Sequence, residues 1–150
     1  MYDTVLFPTD GSETATEAAV HAIDLADRHD AGIHVLYVVD HERVSRMAPK
    51  LGTDHIKETL QEEGETATSE IADRAAAAGL ETTTSIREGA PADVITSYAE
   101  TVNAHAIVMG TNGRTGMDRL LLGSVAERVI QTTDVPVTTV KSPADEETEE

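Results

Sequence analysis

The chain has 150 residues, 28 acidic against 11 basic, a formal charge of −17 and no cysteine. The cysteine count excludes a disulfide framework, a thiolate zinc site and thiol redox chemistry, and the charge argues against nucleic acid as a partner. One domain is expected, able to bury roughly 70% of the surface its unfolded chain would expose.

The first strand is expected at Thr4–Phe7, where apolar and β-branched residues cluster, and Pro8 to Ser12 form the loop that follows. A helix is expected from about Glu13 to His29, with Ala18, Ala19, Ala22, Ile23 and Ala26 on one face and Gly32 soon after as a stop. Ile33 to Val39 is strand-like. Residues 40–53, DHERVSRMAPKLGT, show no clear period and contain Pro49 and Gly52, so a mobile loop is expected there, placed to act as a lid. The next helix uses Ile56, Leu60, Ala67 and Ile71; Gly64 weakens it by about 1 kcal/mol relative to alanine, and Gly79 suits a left-handed C-terminal cap. Leu80 to Ile86 reads as a strand, and a helix opening at Pro91 carries Val94, Ile95, Tyr98 and Val102. Ala106 to Met109 is the fourth strand. A helix from Ser124, with Val125, Ala126, Val129 and Ile130, leads to a fifth strand at Val135 to Val140.

Strands that alternate with helices, without a hairpin signal, imply a parallel sheet covered on both faces. The expected fold is α/β: a single doubly wound, Rossmann-like domain with a five-stranded parallel sheet. Two strand orders fit, the flavodoxin-like one and 3-2-1-4-5, and a ligand would bind outside the carboxyl ends of the strands where the winding reverses. The loops to inspect are therefore Pro8 to Ser12 and Gly110 to Ser124. The domain is expected to span residues 1–141. Residues 142–150, with Asp145, Glu146, Glu147, Glu149 and Glu150, read as a disordered acidic tail. The N-terminus is acidic, and no uncharged apolar stretch approaches the ~18 residues of a membrane span, so a cytoplasmic protein without export or membrane insertion is expected. So acidic a chain suits high ionic strength, where the Debye length falls to about 3 Å; the composition looks like that of a salt-loving microbe, with an ordinary acidic protein plus a disordered tail as the alternative.

Chemistry concentrates in the loop after strand four, Gly110-Thr-Asn-Gly113-Arg114-Thr-Gly116-Met-Asp-Arg119-Leu-Leu-Leu-Gly123-Ser124. Glycines at 110, 113 and 123 permit positive φ and close backbone approach, and such a nest of N–H groups prefers phosphate. Ser124, at the start of a helix, suits either a cap or a hydroxyl donor to a phosphate oxygen. Asp10 has two readings as well: an acceptor for paired hydroxyls, or the cap of the first helix, since Asp10-Gly-Ser-Glu13 has capping-box spacing.

The pattern G-x2-G-x9-G-[ST], met by Gly110, Gly113, Gly123 and Ser124, resembles the ATP-binding signature of the universal stress protein family. The run GRTGMDRLLLGSVAERVI, the N-terminal VLFPTDGSETA and VLYVVD at the end of strand two are similar to that family too. The resemblance implies the strand order 3-2-1-4-5 and a bound adenine nucleotide, ATP with or without Mg²⁺. It places Asp10 at the ribose hydroxyls, Val38 at the adenine edge, and Gly110, Gly113, Gly123, Ser124 and Val125 around the phosphates. Pro8, Thr9, Met109 and Asn112 complete the candidate set. Arg114 adds a forked donor to the polyphosphate, whereas Arg119 is equally suited to surface pairing. Thr9, Ser12, Thr111 and Asn112 serve as ligand contacts or as turn formers. A homodimer through the last strand, Val135 to Val140, is also implied, since pairing covers an open sheet edge.

No Walker or dinucleotide motif, no G-x-S-x-G elbow and no H-E-x-x-H pair occurs. Adjacent Asp40, His41 and Glu42 make a weak metal set, since neighbours in a loop usually face different ways. The expectation is a nucleotide-responsive dimeric binding module for the stress response, without catalytic or metal residues. A slow ATP hydrolase and a nucleotide-independent signalling dimer are the alternatives.

Overall fold

A computed structural model describes residues 2–111 and 122–141. The element order is β1 (Thr4–Thr9), α1 (Glu13–His29), β2 (Gly32–Asp40), α2 (His41–Leu51), α3 (Thr53–Ala77), β3 (Thr82–Gly89), α4 (Pro91–Thr101), β4 (Ala106–Gly110), α5 (Ser124–Thr132) and β5 (Val137–Val140). The five strands form one sheet in the order β3-β2-β1-β4-β5, with every pairing parallel.

Alternation along the strands sorts side chains to the two faces. Val5, Phe7, Ile33, Val35 and Val108 point to one face, where they meet Ala18, Ala19, Ala22 and Ala26 of α1 and Ile71 and Ala75 of α3. Alanines at helical spacing let α1 lie close on this face. Leu6, Leu36 and Ile107 point to the other face, against Ile95, Tyr98 and Ala99 of α4 and Ala126 and Val129 of α5. The Tyr98 hydroxyl lies 2.9 Å from His34 Nδ1 and 2.8 Å from Ser85 Oγ, which ties α4 to β2 and β3.

Residues 41–51 correct the sequence reading: they form helix α2 and not a mobile loop. Its N-terminus is capped by the Asp40 carboxylate, which accepts from Glu42 N–H at 3.0 Å. Val44 is its buried residue and joins Tyr37, Val39, Ile56 and Leu60 in a third cluster. Pro49 falls in the last turn, where it removes one intrahelical hydrogen bond, and Gly52 N–H closes that turn on the Ala48 carbonyl at 2.7 Å. Gly52, at φ +86°, then redirects the chain into α3. The helix holds by docking on α3, a tertiary contact that its own sparse apolar pattern does not announce.

Strand boundaries shift as well. β3 begins at Thr82 and continues to Gly89, beyond Ile86, because its pairing with β2 runs the length of that strand. β5 begins at Val137 instead of Val135, since Val135 N–H turns to Thr133 Oγ1 at 3.1 Å before the ladder with β4 starts.

Candidate functional site

β1 pairs with β2 on one side and β4 on the other, so the winding reverses at its carboxyl end. A cavity of about 350 Å³ opens there, bordered by the ends of β1, β2 and β4 and by α2, α4 and α5. That volume is in the range of small-molecule sites, roughly 300–1,000 Å³. Pro8, Thr9, Asp10, Val38, Met109, Gly110, Gly123, Ser124 and Val125 all line it. Asn112, Gly113 and Arg114, with Gly116 and Arg119, lie outside the described residues.

At the end of β1, Gly11 adopts φ +79°, a turn that folds the chain back so that Ser12 N–H donates to Asp10 Oδ1 at 2.9 Å. Ser12 caps α1, accepting from Ala15 N–H at 3.2 Å. The alternative reading of Asp10 as that cap is thereby corrected. Its carboxylate stands at the cavity wall, acceptor-only when ionised and suited to paired hydroxyls. Thr9, nearly buried, accepts from Gly11 N–H at 3.1 Å and so acts in the turn.

On the opposite wall, α5 begins with Gly123 as its N-cap, at φ −64° and ψ 156°, without a side-chain cap bond. Two expectations change here. Ser124 is not the cap, because it is already the first helical residue; Gly123 does not use positive φ, because its extended backbone suffices to start the helix. Gly123 N–H donates to the Thr111 carbonyl, and Gly110 ends β4 in register with Val140. Helix starts leave N–H groups without intrahelical acceptors, and those of Ser124, Val125 and Ala126 belong to residues on the cavity wall. With the positive end of the helix dipole, they form an anion-favouring surface. Thr111 Oγ1 is buried beside it without a hydrogen-bond partner among the described residues.

Between the walls the lining is apolar, from Pro8, Val38, Pro91, Ile95 and Met109. The sequence reading missed α2, which contributes Glu42, Arg43 and Arg46 beside its cap Asp40. Arginines three apart just after strand two were the available signal, hidden by the loop assignment. Arg43 Nη2 is held 3.5 Å from Glu63 Oε2 of α3, whereas Arg46, among the described residues, makes only an exposed contact of 3.9 Å with Glu42. Next to the cavity, Glu88 at the end of β3 joins Lys57 of α3 at 3.2 Å and His41 of α2 at 3.1 Å. These two hydrogen bonds, Lys57 first, hold the Glu88 carboxyl below its usual range. Asp40 caps α2, His41 faces Glu88 and Glu42 faces Arg46, so the three neighbours do not converge. Among the described residues, no group of three or more His, Asp or Glu side chains is placed to hold a metal ion.

The arrangement pairs an anion-favouring helix start with an apolar slot and a hydroxyl acceptor. Its chemistry suits a small molecule with an anionic end, a polar middle and a flat apolar portion.

The sequence profile described as the universal stress protein family matches residues 1–141. Universal stress protein MJ0531 of Methanocaldococcus jannaschii is 42% identical over 146 residues, which cover 97% of this chain and 86% of that one. Among solved structures, protein MJ0577 of the same organism superposes with a TM-score of 0.85 at 31% identity, covering 95% of this chain and 97% of its own. A universal stress protein in complex with cAMP superposes with a TM-score of 0.69 at 27% identity, covering 94% of this chain and 98% of its own. Among the described residues of the present chain, no helix is long and apolar enough to cross a membrane.

Proposed function

This chain belongs to the universal stress protein family, and from that premise we propose that it binds an adenine nucleotide, ATP with or without Mg²⁺, as a dimeric stress-response module and not as an enzyme. The observation that carries the reading is the single cavity that Asp10, Val38, Gly110, Gly123, Ser124 and Val125 share at the reversal of the sheet. The related protein that holds cAMP supports an adenine nucleotide as the ligand class.

In this reading the phosphates lie against the start of α5 and the Gly110–Gly123 loop, with Asn112, Gly113 and Arg114. Asp10 accepts from the ribose hydroxyls, and the base lies against Val38 and Met109, with Pro8 and Thr9 behind the sugar. The domain comprises residues 1–141, with 142–150 as an acidic tail, and the protein works in the cytoplasm. A twofold dimer forms through the last strand, Val135 to Val140. β5 pairs with β4 on one side only among the described residues, and Ile130 of the adjacent α5 is 43% exposed.

Thermal unfolding in concentrated KCl, with and without MgATP, tests the nucleotide. Binding adds RT ln(1 + [L]/Kd), about 2.7 kcal/mol at a hundredfold excess over Kd, which raises the midpoint by several degrees. Gly113→Val/Gly123→Val should abolish the rise; position 123 has a backbone conformation open to valine, and a cooperative melt of the variant shows that it folds. No rise in the folded parent protein would overturn the reading.

A further inference from the structure

A bound adenine ring gains from a flat partner on a π face, and the chain has four aromatic residues, one Phe and three Tyr. Each is engaged elsewhere. Phe7 is fully buried in the core under α1, Tyr98 lies between His34 and Ser85, and Tyr2 packs against the His29 ring at 4.8 Å. Tyr37 reaches the cavity border but is only 2% exposed. Its ring sits so close to α3 that a Cβ on Gly64 would lie 2.5 Å from Tyr37 Cδ1. No aromatic side chain can therefore turn onto the base.

Val38, Ile95 and Met109 supply one face, since they belong to or pack on the core beneath α4. α2 lines the cavity at the end of β2 with Glu42, Arg43 and Arg46, and its flat cationic groups there are the two guanidinium ions. Arg43 is half-buried and held by Glu63. Arg46 is 67% exposed and, among the described residues, makes only the 3.9 Å contact with Glu42, an i,i+4 surface pair of the kind worth little and weakened by salt. Its fork can leave Glu42 at small cost, and a guanidinium is flat and weakly hydrated enough to stack on an aromatic face.

Resting on the nucleotide reading above, we propose that Arg46 stacks on the exposed face of the bound base, so that α2 closes the base end of the site while α5 holds the anionic end. Arg46 then determines selectivity for ligands with a large π face and contributes through contact with the base, not through attraction to phosphate. The device suits an acidic protein in salt, because stacking survives screening that removes a simple ion pair.

Isothermal titration of the intact protein, Arg46→Ala and Arg46→Lys with adenosine and with ATP separates the outcomes. Arg46→Ala should weaken both ligands by the same factor, roughly fivefold to thirtyfold. Arg46→Lys, which keeps the charge and loses the plane, should recover little. The factor should persist from about 0.5 M to 3 M KCl. A loss confined to ATP, restored by lysine and fading with salt, would mean a phosphate contact and overturn the proposal; unchanged affinity for both ligands would overturn it too. If the parent protein binds neither ligand, the nucleotide reading itself fails and takes the proposal with it.

Discussion

Gly64 looks like a defect when α3 is considered alone, since glycine inside a helix costs about 1 kcal/mol relative to alanine. Its reason lies on β2. A Cβ there would stand 2.5 Å from Tyr37 Cδ1 and 2.9 Å from Cγ, atoms at the base of a buried ring that have nowhere to swing. Overpacking of that kind costs about 1–3 kcal/mol and opposes the propensity gain. Gly64→Ala is therefore expected to lose up to about 2 kcal/mol net in denaturant unfolding at high KCl, and Tyr37→Leu in the same chain should return part of it. A raised midpoint for Gly64→Ala would show that propensity outweighs the contact. The same limit explains what could be read at other single residues. The spacing of Gly110, Gly123 and Ser124 was visible because it is local, whereas the helix cap was ambiguous. Asp10 and Ser12 are both cap-type residues, and only the φ +79° turn at Gly11 decides between them.

At the scale of elements, the strands and the helices α1, α4 and α5 were legible because each carries a face of its own apolar residues. α2 was not, since it buries only Val44 and takes its stability from the Asp40 cap and from α3. Its start is also fastened by charge: Glu88 accepts from Lys57 and His41 and so joins β3, α3 and α2. Glu88 has a pKa lowered below its usual 4.5, which means that folding favours the ionised carboxylate. The contribution is present above the unfolded pKa and is lost as pH falls through the lower folded value. Because Glu88 is 40% exposed, the effect is small and is further screened by salt. Glu88→Gln should thus unfold at a slightly lower temperature than the parent protein near pH 7, and the two curves should converge as the pH falls through the lowered pKa of Glu88. A gap that stays constant through the acid range would assign the loss to geometry and not to the charge on Glu88.

For the molecule as a whole, the charge of −17 sets the conditions under which everything else operates. Like charges repel more in the compact state than in the expanded chain, so folding is opposed in dilute buffer and favoured as the Debye length falls from about 10 Å at 0.1 M to 3 Å at 1 M salt. The acidic C-terminus does not account for this, because residues 142–150 hold five of the 28 acidic side chains and leave a strongly negative body behind. In that body the described ion pairs are mostly exposed and individually weak, so they do not offset the repulsion. The unfolding midpoint should therefore climb steeply with KCl over this range, and a chain ending at Lys141 should keep most of the slope while shifting upward at low salt. If truncation instead flattened the dependence, the repulsion would reside in the tail, and the body would be an ordinary domain for which salt is incidental. The same experiment bears on binding, because a site that must attract an anionic nucleotide within a negative field does so more readily once that field is screened.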